Sequence, residues 1–372
     1  VFLARKVQAT WLFLSPVEDT PMPVTPAQLA LGANYQIQAY AKNDPIDQFT
    51  KDRPFSQWLI ENMEQVVYGN GIFNEKIRFT NNSNYQNFTG DGQVSYNRKD
   101  TVRLAAFYHY EAHDGFALNE TELADNGITM TDDKTATPTD SEKIQLVNKL
   151  KEGYATLKDG FQEQWDLEAH RNGTASTLAV PGLDALISLT PAVGIIGGID
   201  RSNPANAYWQ NFASTAIAAG TILAKMETMW RNTITFGKMG PPNKILCGST
   251  FLDQLALEIR QQTGTSFQVV QPAKGGFVLD GARSRVFFKG VEVEWDPTFE
   301  TLDALDAPST PWTKRCYMLN SKVLKLKPNK GRWLINRKPP RMYDRYVYYF
   351  GLTADYGITI QKPNSCGVLA LV

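Results

Sequence analysis

Apolar residues recur every three or four positions along the longest proline-free stretch of the chain. Val147, Leu150, Tyr154, Leu157, Phe161 and Trp165 therefore share one face of a helix. Asp140 or Ser141 supplies an N-cap, Glu142 puts a carboxylate in the first turn, and no proline follows until Pro181. From Ser141 to about Arg171 this helix is roughly 45 Å long at about 1.5 Å per residue. Gly153 and Gly160 fall together on a neighbouring strip, where a missing side chain lets another backbone approach, at about 1 kcal/mol each in helix propensity.

Period-two alternation predicts strands elsewhere. Ile77 and Phe79 open one, and Val102, Leu104, Ala106, Tyr108 and Tyr110 form another. Between them Asn81, Asn82, Asn84, Asn87, Gly90, Asp91 and Gly92 carry strong turn chemistry. The resulting ribbon is marginal alone and needs a partner. Upstream, residues 1–54 are proline-rich and aperiodic, a segment that lies across something else. Phe55 to Val67 reads as a short amphipathic helix with Trp58, Leu59, Met63 and Val66 on one side. A core helix is expected from about Ala213 to Asn232, bearing Ile217, Ala218, Ile222, Met226, Met229 and Trp230, and Gly237 to Pro242 marks a boundary. Beyond it strand and helix alternate: Lys244–Cys247, then a helix from Ser249 through Gln262 ended by Gly264. Strands follow at Val269-Val270, Phe277–Leu279, Val286–Phe288 and Val291–Trp295, with Lys289-Gly290 as a hairpin turn. Tyr317–Leu326 and Tyr346–Ile360 return to strand periodicity.

The long helix stops near Gly173 and leads into a glycine-punctuated segment too irregular for plain strand or helix. It reads Arg171-Asn172-Gly173-Thr174, Gly182-Leu183-Asp184-Ala185-Leu186, Gly197-Gly198-Ile199-Asp200-Arg201 and Tyr208-Trp209. In that order and spacing it resembles the major capsid proteins of tailed bacteriophages, specifically over about seventy residues and traceably over most of the rest. Glu120 and Glu122 before Asn126-Gly127, and the ending Asn364, Gly367, Val368 and Leu369, fit the same family. The resemblance implies an α+β, Hong-Kong-97-type capsid fold. Its parts would be an N-terminal arm with a short helix (1–73), an E-loop ribbon (74–111), and a P-domain (112–236) with its spine helix (140–171). An A-domain (237–315) and a return to the P-domain sheet (316–372) complete it.

Composition narrows the function. At 372 residues the chain supports two or three subdomains with real cores. Lys+Arg and Asp+Glu both total 38, whereas a protein built to grip duplex DNA shows a basic excess; neutrality suits packing against copies of itself. Three scattered cysteines, Cys247, Cys316 and Cys366, read as core residues folded in a reducing compartment. Trp11-Leu12-Phe13-Leu14 is too short for a signal peptide, and no run approaches the ~18 apolar residues of a membrane span.

Candidate chemistry is sparse. His109, Glu111 and His113 alternate and would face one side of a strand, where a zinc or nickel site is conceivable. They lack a fourth ligand, and ordinary surface residues are the favoured reading. Gly194–Gly198 has no Lys-Ser/Thr after it and reads as a tight turn. No Gly-x-Ser-x-Gly or Cys-x-x-Cys occurs, and Glu292 and Glu294 read as a solvated strand face. No catalytic residue, cofactor or metal is expected. Arg98, Lys99 and Arg103 on the ribbon, and Arg283 and Arg285 further on, are the candidate subunit contacts; exposed pairs contribute only ~0–1 kcal/mol each. Lys99 is also a conceivable donor for covalent cross-linking of the kind some relatives use.

The resemblance thus implies a structural virion protein, assembled in the host cytoplasm. Its hexamers and pentamers would close an icosahedral head around double-stranded DNA held non-specifically. Portal, scaffolding and decoration proteins are implied partners, and no membrane. An encapsulin-like compartment shell is the alternative with the same fold, and a soluble α+β enzyme the alternative of another class.

Overall fold

The computed structural model describes residues 51–67, 71–125, 140–236, 239–263, 277–280, 285–339 and 347–372. The expectations for residues 1–50, Asn126-Gly127, Val269-Val270 and Arg283 lie outside these residues, as do the side chains of Val147 and Arg285. Helix α1 (Pro54–Glu61) comes first, followed by strands β1 (Ile72–Arg78), β2 (Val102–Tyr108) and β3 (Tyr110–Asn119). Helices α2 (Glu120–Asp125), α3 (Asp140–His170) and α4 (Leu183–Leu186) precede the short strands β4 (Ile195–Ile196) and β5 (Ile199–Asp200). Then come a 3-10 segment at Pro204–Trp209, β6 (Phe212–Ile217), α5 (Ile222–Thr235), β7 (Lys244–Cys247) and α6 (Ser249–Thr263). Strands β8 (Phe277–Asp280), β9 (Arg285–Phe288) and β10 (Val291–Trp295) lead to α7 (Thr298–Asp306). The chain closes with β11 (Arg315–Leu319), β12 (Leu324–Pro328), β13 (Ile335–Arg337), β14 (Val347–Ile360) and β15 (Gly367–Leu371).

Two units are separable: Val1–Gln48 with Asn119–Gln145, and Phe49–Leu118 with Leu146–Val372. The described part of the first comprises α2, where Leu123 is buried, and the opening of α3. Everything below concerns the second unit unless stated.

A seven-stranded mixed sheet runs β6-β15-β11-β7-β10-β9-β8. Its central strands are covered on both faces, so alternate residues serve two cores. On β11, Cys316 and Met318 join a core with Met226, Met229 and Trp230 of α5 and Phe251, Leu255 and Ile259 of α6. Tyr317 and Leu319 face the other core, which contains Leu157, Phe161 and Trp165 of α3. β11 and β15 thus belong to the same sheet as β7 and β10, whereas β12, β13 and β3 pair with β14 in a second sheet that also faces α3.

Along α3, Leu157, Phe161 and Trp165 are buried, and Leu150 and Tyr154 are half-buried. Trp165 meets Trp333 and Tyr356 edge-on, with centroids 5.4 and 6.0 Å apart. Gly153 accommodates an aromatic ring rather than the backbone expected there: a Cβ at this position would lie 2.8 Å from Phe116 Cζ. Gly160 has only Asp114 Oδ2 nearby, at 3.8 Å.

The irregular segment after α3 is held by polar pins. Arg201 is fully buried and donates to the carbonyls of Ala185 (3.3 Å) and Leu186 (2.7 Å), tying Gly-Gly-Ile-Asp-Arg to Gly-Leu-Asp-Ala-Leu. Burial lowers its pKa to about 10, so the guanidinium stays charged. Asp184 pairs with Arg315 at 2.9 Å, and Trp209 Nε1 donates to the Ile196 carbonyl at 2.9 Å. A Cβ on Gly182 would lie 2.2 Å from the Ala169 carbonyl oxygen, so only glycine fits where this segment crosses the end of α3.

Three sequence expectations change. The helix expected from Ala213 begins only at Ile222. Residues Phe212–Ile217 are instead β6, paired in parallel with β15, because sheet pairing outweighs weak local helix preference and Gly220 (φ 85°) breaks the chain between. The helix expected over Phe55–Val67 ends at Glu61, and Val66 bridges to Asn329. β3 continues past the ribbon through Asn119 and pairs with β14. Lys289-Gly290 forms the expected hairpin turn, with φ positive at both residues.

Phe161→Ala is expected to destabilise this unit by about 3–5 kcal/mol, as a large-to-small core change. Urea unfolding of the two proteins measures it, and a loss below ~1 kcal/mol would mean that this face of α3 does not organise the core.

Candidate assembly surface and a buried ion cluster

The β1–β2 ribbon pairs in register from Ile72 opposite Tyr108 to Arg78 opposite Val102. Alternation gives it two unlike faces. Phe73, Ile77, Ala105 and Phe107 are buried inward, together with Glu75, which forms a buried ion pair with Lys327 and accepts from Gln361 Nε2 at 2.8 Å. Ile72, Val102, Leu104 and Tyr108 on the other face are exposed. The inward side docks on the Gly197-Gly198 turn, where Ala106 N donates to the Gly197 carbonyl at 2.9 Å. That turn is a tight hairpin of β4 and β5 with φ positive at both glycines.

Past a last backbone bond from Phe79 N to the Thr101 carbonyl at 3.1 Å the two strands stop pairing, and the tip projects its aromatic residues into solvent. Tyr85 is 84 % exposed, Phe88 68 % and Tyr96 91 %. The tip is held by local polar contacts, Asn84 and Gln86 with Ser95. Large apolar side chains on a projecting arm mark an interaction surface.

Arg103 is turned toward its own chain: it donates to Asn206 Oδ1 at 2.7 Å and Tyr208 Oη at 3.3 Å, and its guanidinium lies 4.6 Å from the Phe79 ring centroid. Arg98 and Lys99 are exposed on the tip. His109, Glu111 and His113 do not converge. His109 Nδ1 lies 3.1 Å from Asp355 Oδ1, Glu111 meets Arg332 at 3.7 Å, and His113 lies exposed beside Gly351.

A cluster that sequence reading missed closes the end of α3. His170 Nδ1 donates to the Asp166 carbonyl at 2.7 Å, and Nε2 lies 3.1 Å from Asp296 Oδ2. Asp166 Oδ2 accepts from Thr298 Oγ1 at 2.6 Å, and Asp296 Oδ1 from Thr298 N at 3.0 Å. All three ionisable groups are buried, with Phe55, Phe299 and Trp312 around the imidazole. The only advance signal is the four-residue spacing of Asp166 and His170.

Burial alone would depress the His170 pKa, but the carboxylates of Asp166 and Asp296 outweigh it and raise it to about 9. Burial pushes the Asp166 carboxyl up. The three residues lie within a 4.8 Å span that suits a metal ion. Each ring nitrogen is turned to a different aspartate, Nδ1 to Asp166 and Nε2 to Asp296. The imidazolium is itself the cation of this cluster.

No family model matches the chain, and no curated protein matches it by sequence. Solved structures do. The capsid asymmetric unit of cyanophage A-1(L) is 16 % identical, with a TM-score of 0.58 over 89 % of this chain and 96 % of its own. The capsid of Myoviridae phage XM1 is 12 % identical, with a TM-score of 0.53 over 90 % and 98 %. The mature capsid of bacteriophage PhiM1 is 12 % identical, with a TM-score of 0.51 over 89 % and 90 %. The fold is therefore the α+β, Hong-Kong-97-like fold of phage capsid structures. No helix among the described residues is long and apolar enough to cross a membrane.

The His170 cluster makes stability pH-dependent on the alkaline side. With the folded pKa raised from 6.5 to about 9, its contribution is full below pH 6.5 and is lost as pH rises through about 9. Urea unfolding between pH 6 and pH 7.5, below the range where cysteine thiols exposed by unfolding begin to ionise, is expected to show stability falling with pH in the wild type. His170→Gln should flatten that slope, and an equal slope in both proteins would exclude the cluster as its source.

Proposed function

We propose that this chain is the structural major capsid protein of a tailed bacteriophage, a subunit that self-assembles into hexamers and pentamers of an icosahedral head. The observation that carries the reading is the ribbon: one face buried on its own subunit, the other face and an aromatic tip left open. Such an arm gains order by lying on a neighbour. The fold shared with phage capsids supports the same reading.

In this reading the protein acts through contacts between copies rather than through catalysis. α3 with the β14 sheet is the P-domain, and the segment 237–315 is the A-domain around the capsomer centre. Arg98 and Lys99 reach the next subunit from the ribbon tip, while Arg103 stiffens the ribbon base. Arg283 and Arg285 are further contacts in the A-domain. The virion is the site of action, assembly takes place in the host cytoplasm, and portal, scaffolding and decoration proteins are the natural partners.

Deleting Asn81–Asn97 should leave a folded, soluble subunit that forms no shells. Electron microscopy and thermal unfolding together check this; closed particles of normal size from the deletion variant would remove the ribbon from the assembly interface. Large shells holding DNA separate this reading from a small compartment filled with protein, and isolated oligomers from both.

The enclosed double-stranded DNA is held non-specifically, confined by the closed wall. Isolated subunits are therefore expected to bind duplex DNA only weakly at about 0.15 M salt, since tight binding requires many phosphate contacts and a steep salt dependence. Sub-micromolar binding in a salt titration would show instead that the wall grips the genome.

A further inference from the structure

Charge in this neutral chain is distributed in blocks. Residues 322–338 contain seven Lys or Arg and no acid, whereas residues 104–125 contain five acids and no Lys or Arg. The fold lays the basic block along β14: β12 and β13 both run antiparallel to it, from Leu324 opposite Ile360 to Arg337 opposite Gly351. Three of its cations are matched within the chain. Lys325 meets Glu64 at 2.6 Å, Lys327 meets Glu75, and Arg332 lies 3.7 Å from Glu111 and 3.4 Å from Asp355. Lys322, Lys330, Arg337 and Lys338 are exposed, and no carboxylate partner is found for them among the described residues. Arg337 is held in place by its Nε bond to Thr353 Oγ1 at 3.0 Å.

We propose that this basic edge docks the acidic segment Glu111–Asp125 of a second copy of the chain. Opposite blocks in a chain with 38 charges of each sign suit a head-to-tail contact between identical subunits. Within one copy, Arg332 and Glu111 show that residues of the two blocks can pair. Complementary charge of this kind fixes register and rejects misaligned encounters, and screening makes it salt-sensitive. The inference rests on the reading of the chain as a self-assembling subunit and names one of its contacts.

The test follows assembly of the full-length chain by light scattering and electron microscopy. Arg337→Glu with Lys338→Glu should reduce shell yield by about tenfold at about 0.15 M salt. Its thermal unfolding should match that of Arg337→Gln with Lys338→Gln, since both positions are exposed. Adding Glu122→Lys and Asp125→Lys to the reversed chain should restore shells. Wild-type yield from the reversed chain overturns the interface alone. Failure of the charge swap to restore assembly also overturns it, and a simultaneous loss of salt-steep duplex DNA binding would assign the edge to nucleic acid. A wild-type chain that remains monomeric overturns the assembly reading and this contact with it.

Discussion

Burial of one face of α3 is the constraint on which the second unit depends. Leu157, Phe161 and Trp165 are too large to leave in water, and one helix cannot cover them itself. They share one core with residues of two sheets: Tyr317, Leu319 and Val368 of the seven-stranded sheet, and Leu324, Leu326, Tyr356 and Ile358 of the β14 sheet, where Tyr356 meets Trp165 edge-on. The same helix ends in His170, whose imidazolium joins Asp166 of α3 to Asp296 just before α7. Apolar packing sets where the helix lies, and the buried ion cluster sets where it stops.

Polar pins do comparable work in the segment after α3, where regular hydrogen bonding fails. Arg201 satisfies carbonyls that a loop would otherwise leave unpaired, and Arg315 does the same for the Thr310 carbonyl while pairing with Asp184. These arginines explain why an irregular stretch can lie inside a core. They also give the motifs a physical meaning: their charged residues are struts between loops.

The ribbon obeys the opposite logic. Its base is secured by Glu75–Lys327, Arg103–Asn206 and the inward aromatic residues, yet its tip has almost nothing of its own to bury. A firm base with an unsatisfied tip favours an arm that stays extended and ready for a neighbour, because ordering the base has already removed much of the entropy of docking.

Periodicity alone identified α3, β7, α6, the β9–β10 hairpin and the second ribbon strand, since each pattern is local and the backbone period dictates which side chains share a face; the first ribbon strand, expected to open at Ile77, instead runs Ile72–Arg78. The resemblance in residues 171–209 supplied the fold class, because glycines and arginines at those spacings answer to fixed backbone geometry. What the sequence could not decide depended on distant partners. Phe212–Ile217 is a strand only because β15 offers an edge for it to join. Phe116 is what fills the notch at Gly153, and Arg103 bonds to its own chain because Asn206 happens to lie in reach. His170 becomes a buried cation only when Asp296, 126 residues away, closes over it. Local preference and pattern write the elements; long-range contacts, which no local pattern encodes, choose their neighbours and the charge states of the groups they bury.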